Sequence, residues 1–321
     1  MRRSIRVLAL VAAIACARFF TDLARPEPAE AATPDMTWNT KGCSSSINGN
    51  YRPWWSKNDQ LINLVNSTPG TAHIALQEIW SDQLNGDAIG HQGLYGRFSD
   101  IGYKGTAFDS SQFNPGSSCP GYGIAIFWQS STCQLNPCYH SAGYQSQAPQ
   151  SDGGPAWVYG TQPLGGYRGY VCGQSGSSPD VYQGCSSHLA VTPSGSSDTR
   201  FRDARVNQAY EYREMMNNSW NWYHVASKLM GDFNIAHNAG GAEGDVFNRY
   251  RDGILYRQTM TEGDWSGNRL TSTPWSPVRK IDHAWYINTS FCVSASQAGV
   301  FRMNDSSDHK LLRTYKDWGA C

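Results

Sequence analysis

An α/β fold is the class this sequence predicts, and three observations predict it. Short apolar runs recur along the chain, they alternate with stretches of helical spacing, and polar, glycine-rich loops separate them. The composition allows such a fold. Of 321 residues, 40% are hydrophobic and 16% charged, against a typical charged share of about 25%. Gly 32, Trp 12 and Tyr 17 make up the difference. That excludes a highly charged disordered chain, a coiled coil and a collagen-like fibre, and it leaves apolar and aromatic surface for a sizeable core. Lys+Arg and Asp+Glu both number 26, so the formal charge is zero. A nucleic-acid binder relying on bulk positive charge is disfavoured, whereas an enzyme gripping phosphates locally is not.

The first element is a targeting segment. Arg2, Arg3 and Arg6 precede an apolar run from Val7 to Ala17, and small residues follow up to Ala29-Glu30-Ala31 before Ala32. This is the order of a secretory signal, and the apolar run is too short to span a bilayer. Cleavage is expected after Ala31, leaving residues 32–321 as a single domain in a secreted protein. Cys16 would suit a lipid anchor, but the residue three before it fits that signal poorly, and the paired arginines match a twin-arginine route weakly. Loss of the leader removes five basic and three acidic residues, so the mature chain is slightly acidic, at about −2.

Strands are expected at Met36–Asn39, Ala72–Gln77, Gly123–Trp128, His188–Val191, Ala226–Met230 and Ile281–Ile287. Several are continuous enough to be buried on both faces. Asn58–Asn66 reads as a helix with Leu61, Ile62, Leu64 and Val65 on one face and Ser56 as its cap. Phe201–Trp220 is the longest helical pattern, with Val206, Ala209, Tyr210 and Arg213 at helical spacing. The stretch from about 140 to Gly184 and the stretch Glu262–Arg279 read as loops. No internal repeat, no long linker and no membrane-crossing apolar segment follows the leader.

Behind a secretory signal, Cys43, Cys119, Cys133, Cys138, Cys172, Cys185, Cys292 and Cys321 form an even set that reads as disulfides. Close spacing favours Cys133–Cys138 and Cys172–Cys185. The zinc alternative lacks a C-x-x-C pair and clustered histidines.

Polar residues of one chemical type fall at or near the expected strand ends. Asn39 ends the first strand, Glu78 follows the second, and His188 opens another. Asp232 and Asn234 follow Leu229-Met230-Gly231, Asp282 lies in Lys280-Ile281-Asp282-His283, and Asp308-His309 comes near the C-terminus. One such aspartate is usually a turn or cap residue. Several converging on one sheet rim would offer hard oxygen ligands for magnesium, manganese or calcium, with histidines to move protons near neutral pH.

The local strings Thr37-Trp38-Asn39, Leu76-Gln77-Glu78, Gly123-Ile124-Ala125-Ile126, Ser187-His188-Leu189, Gly231-Asp232-Phe233-Asn234, Ile281-Asp282 and Ser307-Asp308-His309 occur in that order over nearly the whole mature chain. In this the sequence resembles the endonuclease/exonuclease/phosphatase superfamily, of which pancreatic-type deoxyribonuclease is a member. The resemblance implies a four-layer α/β sandwich, two central β-sheets flanked by helices. It implies Glu78 as principal metal ligand with Asn39 and Asp308, and His309 as general base oriented by Asp282. It further implies His188 as acid or phosphate donor, and Asp232 and Asn234 as holders of the nucleophilic water and phosphate oxygens. Arg168 resembles a phosphate-gripping arginine, a task suited to the guanidinium fork. Magnesium is the implied cofactor, manganese a substitute, and a structural calcium is compatible with the family.

Two departures leave every catalytic atom in place: Lys310-Leu311 follows the Ser-Asp-His string, and Ser186 stands where the family has threonine. A third concerns the substrate. Gln77-Glu78 is followed by Ile79-Trp80, not by the arginine that minor-groove-binding nucleases carry. Gly-Asp-Phe-Asn is nonetheless the nuclease form of its motif, and Arg269, Arg279 and Lys280 could track a second phosphate. DNA is therefore the expected partner, for a monomer with no stable membrane insertion. A sphingomyelinase-type lipid phosphodiesterase is the alternative, with Trp265 and Trp275 in an apolar hairpin. A non-catalytic aromatic binding module is a weaker one, since gathered carboxylates cost free energy without a cation or a function.

Overall fold

In the computed structural model the residues described are 33–41, 53–109, 123–129, 170–177, 180–190, 199–223, 226–252, 260–262, 271, 280–287, 291–301, 303 and 307–320. The expected leader and its cleavage site, Cys16, the Cys133–Cys138 pairing, Arg168, Trp265, Trp275, Arg269 and Arg279 lie outside them.

In chain order the described elements are β1 (Thr33–Asn39), α1 (Trp54–Asn66), β2 (His73–Ile79), α2 (Ser81–Asn85), α3 (Leu94–Asp100), β3 (Tyr103–Asp109), β4 (Gly123–Gln129) and β5 (Tyr170–Ser177). They continue with β6 (Asp180–His188), α4 (Arg200–Tyr223), β7 (Ala226–Asp232), α5 (Gly241–Asp252), β8 (Met260–Glu262), β9 (Asp282–Ile287), β10 (Phe291–Phe301) and β11 (Leu311–Ala320). One sheet has the order β10-β11-β1-β2-β4-β3 and the other β5-β6-β7-β9-β8. Each contains one parallel pair, β1 with β2 and β6 with β7. Each of those pairs is joined through a helix, α1 or α4, as a parallel connection requires.

Three apolar clusters mark three interfaces between layers. Met36, Trp38, Ile74, Leu76 and Phe127 pack under Leu61, Ile62 and Val65 of α1 and Phe98 of α3. Leu229 and Trp285 pack under Ala209, Tyr212 and Met216 of α4 and Val246, Phe247 and Tyr250 of α5. Between the sheets lie Ala75, Ile124, Ile126, Trp128, Val171, Met230, Ala284 and Tyr286. Neighbouring residues of one strand, such as Leu76 and Ala75, fall in different clusters because side chains alternate across a sheet. The arrangement is the expected four-layer sandwich. Strands β4 and β9 are buried along both faces, which is why they read as continuous apolar runs.

The interface between the sheets is not wholly apolar. Lys228 Nζ of β7 meets Asp35 Oδ1 of β1 at 2.5 Å, with both side chains almost fully buried. Tyr286 Oη donates to the other Asp35 oxygen at 3.2 Å, and the His73 backbone N–H donates to Asp35 Oδ1 at 3.2 Å. Nearer the site rim, Gln77 Nε2 donates to Ser186 Oγ at 3.0 Å. The sheets approach so closely that a Cβ at Gly184 would stand 2.3 Å from the His73 ring.

Several expectations need correction. His188 closes β6 rather than opening a strand. Part of the stretch read as loop up to Gly184 is the antiparallel pair β5–β6. Its Gly, Ser and Gln residues have low strand propensity, but β7 pairs along β6, and Cys172 and Cys185 face each other and are disulfide-bonded as expected. Helix α1 starts at Trp54 after Pro53, so Ser56 lies in its first turn and caps nothing. On α4 the buried stripe runs through Ala209, Tyr212 and Met216, with Val206 and Tyr210 only partly covered. Strands β3, β8, β10 and β11 and helices α2, α3 and α5 were not legible, being short or rich in polar and small residues.

Two stability measurements follow. Asp35→Ala leaves Lys228 buried without its anion and should cost about 3–5 kcal/mol in urea unfolding, whereas replacing both charges by apolar residues should recover most of it. Cys172→Ala/Cys185→Ala should lower stability by about 2–4 kcal/mol, read as a shifted denaturant midpoint.

Candidate active site

Chain direction brings the polar strand ends together. β1 and β2 run parallel, as do β6 and β7, so Asn39, the region of Glu78, His188 and Asp232 all fall at carboxyl ends. β9 runs antiparallel to β7 and β11 antiparallel to β1, so the beginnings of β9 and β11 reach the same rim. These carry Asp282 and, just before β11, His309. His188, Asp232 and Asp282 are direct cross-strand neighbours.

Two distortions aim the ligands. By alternation Glu78 should share the helix-side face of Leu76. A register shift between Gln77 and Ile79 and a left-handed φ of 53° at Glu78 break the alternation. The carboxylate comes within reach of Asn39, whose Nδ2 donates to Glu78 Oε1 at 3.1 Å and to Asp232 Oδ2 at 3.0 Å. After Asp232 the chain turns through Asn234, at φ 52°. Its backbone N–H donates to Asp232 Oδ1 at 2.8 Å and its Nδ2 to the Leu189 carbonyl at 3.1 Å. A side chain at Gly231 would collide with the Ser187 carbonyl at 1.9 Å.

His309 is gripped on all sides. Its Nδ1 lies 2.9 Å from Asp282 Oδ2, and its backbone N–H donates to Ser307 Oγ at 3.1 Å. Trp38 Nε1 donates to its carbonyl at 3.2 Å. With Nδ1 on the carboxylate, Nε2 points at Asp232 Oδ2, 3.6 Å away. His188 Nε2 approaches the same oxygen at 3.5 Å and Glu78 Oε1 at 3.8 Å. Burial alone would push the His309 imidazolium down, but Asp282 and Asp232 outweigh it and hold the ring charged, up to about 10. Burial pushes the Asp232 carboxyl up to about 7, against the pull of His309 and with the push of Asp282.

The nine residues implied by resemblance divide clearly. Asn39, Glu78, His188, Asp232, Asp282 and His309 form one connected group, and Asn234 secures the Asp232 turn. Asp308 lies beside it, its Oδ2 2.5 Å from Lys41 Nζ. Arg168 is outside the described residues. Lys280 does not track a phosphate: its side chain is buried and donates to Glu262. Reading the sequence missed two lysines. Lys41, at φ 48°, also donates its backbone N–H to Asn39 Oδ1 at 3.0 Å. Lys57 Nζ donates to the carbonyls of Thr40 and Lys41, each at 3.0 Å, and burial pushes its ammonium down to about 8 against Glu78 and Asp308. The signal for Lys57 was a lysine at helical spacing with Leu61 on the buried face of α1.

The donor set fits a hard divalent cation. Glu78 and Asp232 offer carboxylate oxygens, and Asp232, Asp282 and His309 bring ligand atoms within 4.8 Å of one another. Asn39, expected as a ligand, instead turns its Nδ2 to both carboxylates while its Oδ1 accepts from the Lys41 N–H. The buried Asp282 Oδ1 has no hydrogen-bond partner among the described residues.

The sequence profile of the endonuclease/exonuclease/phosphatase family matches residues 36–309. The chain belongs to that family. Its members are phosphoesterase hydrolases that typically use divalent metals, in keeping with the acidic and imidazole groups at this rim. No curated protein matches the chain by sequence. Among solved structures, the human Nocturnin catalytic domain with bound sulfate is similar at 15% identity, with 89% of this chain and 94% of that one covered and a TM-score of 0.60. D. rerio TDP2 complexed with a single-strand DNA product is similar at 13% identity, covering 90% and 100%, with a TM-score of 0.56. The Bacteroides thetaiotaomicron mannosyl-6-phosphatase Bt3783 is similar at 12% identity, covering 88% and 99%, with a TM-score of 0.57. At these identities the family fold is what the likeness shows.

The upward shifts set a pH dependence. In the cation-free chain, folded Asp232 and His309 retain protons that the unfolded chain releases near 3.8 and 6.5, so their contribution to stability is fullest in acid and falls as pH rises towards about 10. By proton NMR without divalent ions, the His309 ring should stay protonated through pH 8. Asp282→Asn removes the largest upward pull, so its titration should move down by a unit or more; an unmoved titration would refute the pairing.

Proposed function

We propose that this chain is a secreted, divalent-metal-dependent phosphodiesterase that hydrolyses nucleic acid, with DNA as substrate and magnesium as the cation, acting as a monomer. One observation carries the reading: His309, its Nδ1 held by buried Asp282, turns Nε2 towards Asp232 on the rim where Asn39 and Glu78 gather. A phosphodiester repels hydroxide, so its hydrolysis needs positive charge on the phosphate and a base beside the water.

Glu78 and Asp232, spanned by the Asn39 amide, would hold the magnesium ion, which supplies polarisation of a phosphate oxygen and offsets the carboxylate field on His309. Asp232 Oδ2, between the Nε2 atoms of His188 and His309, orients the attacking water. His309 Nε2 accepts its proton, and Asp282 fixes the tautomer and faces the imidazolium that forms. His188 Nε2 donates to the phosphate or to the departing oxygen. Asn234 keeps Asp232 in position through the 2.8 Å bond from its backbone N–H.

The substrate reading rests on Gly231-Asp232-Phe233-Asn234, the nuclease form of this motif. The same scaffold holds a DNA product in D. rerio TDP2 and serves a mannosyl-6-phosphatase, so fold does not choose the substrate. The test offers plasmid DNA, RNA and sphingomyelin vesicles to the oxidised chain, with magnesium and with chelator. Plasmid nicking should need the metal, fall by about 10²–10⁴-fold in His309→Ala, and be lost in Glu78→Gln. Vesicle hydrolysis with intact plasmid would overturn the substrate, and full activity in both variants would overturn the site.

A further inference from the structure

Two of the oxygens that the family resemblance assigns to metal are already occupied by one residue of this chain. Lys41 stands two residues past Asn39, in a left-handed conformation unusual for a non-glycine residue. Its backbone N–H is bonded to Asn39 Oδ1 at 3.0 Å, and its ammonium lies 2.5 Å from Asp308 Oδ2. The backbone around it is fixed as well: Lys57 Nζ, itself buried, binds the carbonyls of Thr40 and Lys41, and Thr40 Oγ1 donates to the Glu78 carbonyl at 3.0 Å. The lysine is thus built in from both ends and is not a surface side chain that happens to find an acid. Asp308 is nearly buried, whereas the Lys41 side chain keeps 28% of its surface open at the rim. A carboxylate so placed would be a hard oxygen ligand for a divalent ion if nothing else neutralised it.

We propose that Lys41 is the second cation of this active site. Its ammonium holds the Asp308 side of the acidic group, so that the site takes a single divalent ion on the Glu78 side. The inference rests on the metal-dependent reading of the site and adds to it the number of ions and the residue that sets that number. Charge is the operative property, because a fixed ammonium both cancels the Asp308 carboxylate and repels a second divalent ion nearby.

Manganese(II) binding to the oxidised full chain tests this without substrate, by calorimetry and by electron paramagnetic resonance of the free ion. Wild type and Lys41→Arg should each bind one ion with similar affinity. Lys41→Met and Lys41→Gln should bind a second ion, or bind the first about tenfold more tightly; the glutamine can still donate to Asp308 and guards against a packing defect. One ion at one affinity in all four chains would overturn the role of Lys41 and leave the metal-dependent reading intact. No manganese binding in any of them would overturn both.

Discussion

Lys228 of one sheet reaches across the interlayer to Asp35 of the other, and the remaining architecture depends on that crossing. The site is divided between the sheets: Asn39, Glu78 and His309 belong to the first, and His188, Asp232 and Asp282 to the second. Apolar contacts between sheets are non-directional and would tolerate sliding. The Asp35–Lys228 pair, the Gln77–Ser186 bond and the Asn39–Asp232 bond are directional, and they stand at successive depths of the same interface. Each ties a named atom of one sheet to a named atom of the other. A buried ion pair contributes little net stability, but mispairing either charge is costly, so its effect is to select one alignment.

A second buried carboxylate performs a related task for the segment carrying Asp282. Lys280 and His283, which flank Asp282, both bind Glu262, the last residue of β8. Burial would raise the Glu262 carboxyl, but His283, His237 and Lys280 outweigh it and hold it below the usual carboxylate range. Thr271 Oγ1 accepts from the backbone N–H groups of Ile281 and Asp282, and its carbonyl accepts from Lys310. The residues before Asp282 and after His309 are thereby joined through one threonine. The dyad is held as a unit and not as two separate side chains.

What could be read from the sequence follows from where each residue spends its side chain. β2, β4 and β9 lie between a helix layer and a second sheet, so both faces must be apolar and the run announces itself. β5 and β6 carry glycines where the second sheet comes close, and Gly184 against His73 shows why their composition imitates a loop. Asn39, Asp232, Asp282 and His309 were legible because they fall at strand ends in a fixed order. The re-aiming of Glu78 was not, since it depends on a bulge against β4. Lys57 left a signal in its helical spacing with Leu61, but Lys41 left none, for a related reason. Nothing local distinguishes a loop lysine that binds a buried carboxylate from one that faces water.

The pairing of β1 with β11 joins Thr33 to Lys316, the first described strand to the last. Contacts so distant in sequence form late, because the loop between them must be ordered first. β1 and β2 can pair early, but the first sheet cannot present a complete rim until the last strand docks beside β1. His309 arrives with that strand, and the Trp38 and Ser307 bonds that hold it arrive at the same moment. Before β11 docks, Asn39, Glu78, Asp232 and Asp282 can gather without His309. Assembly of the rim is therefore coupled to the docking of β11, through topology alone.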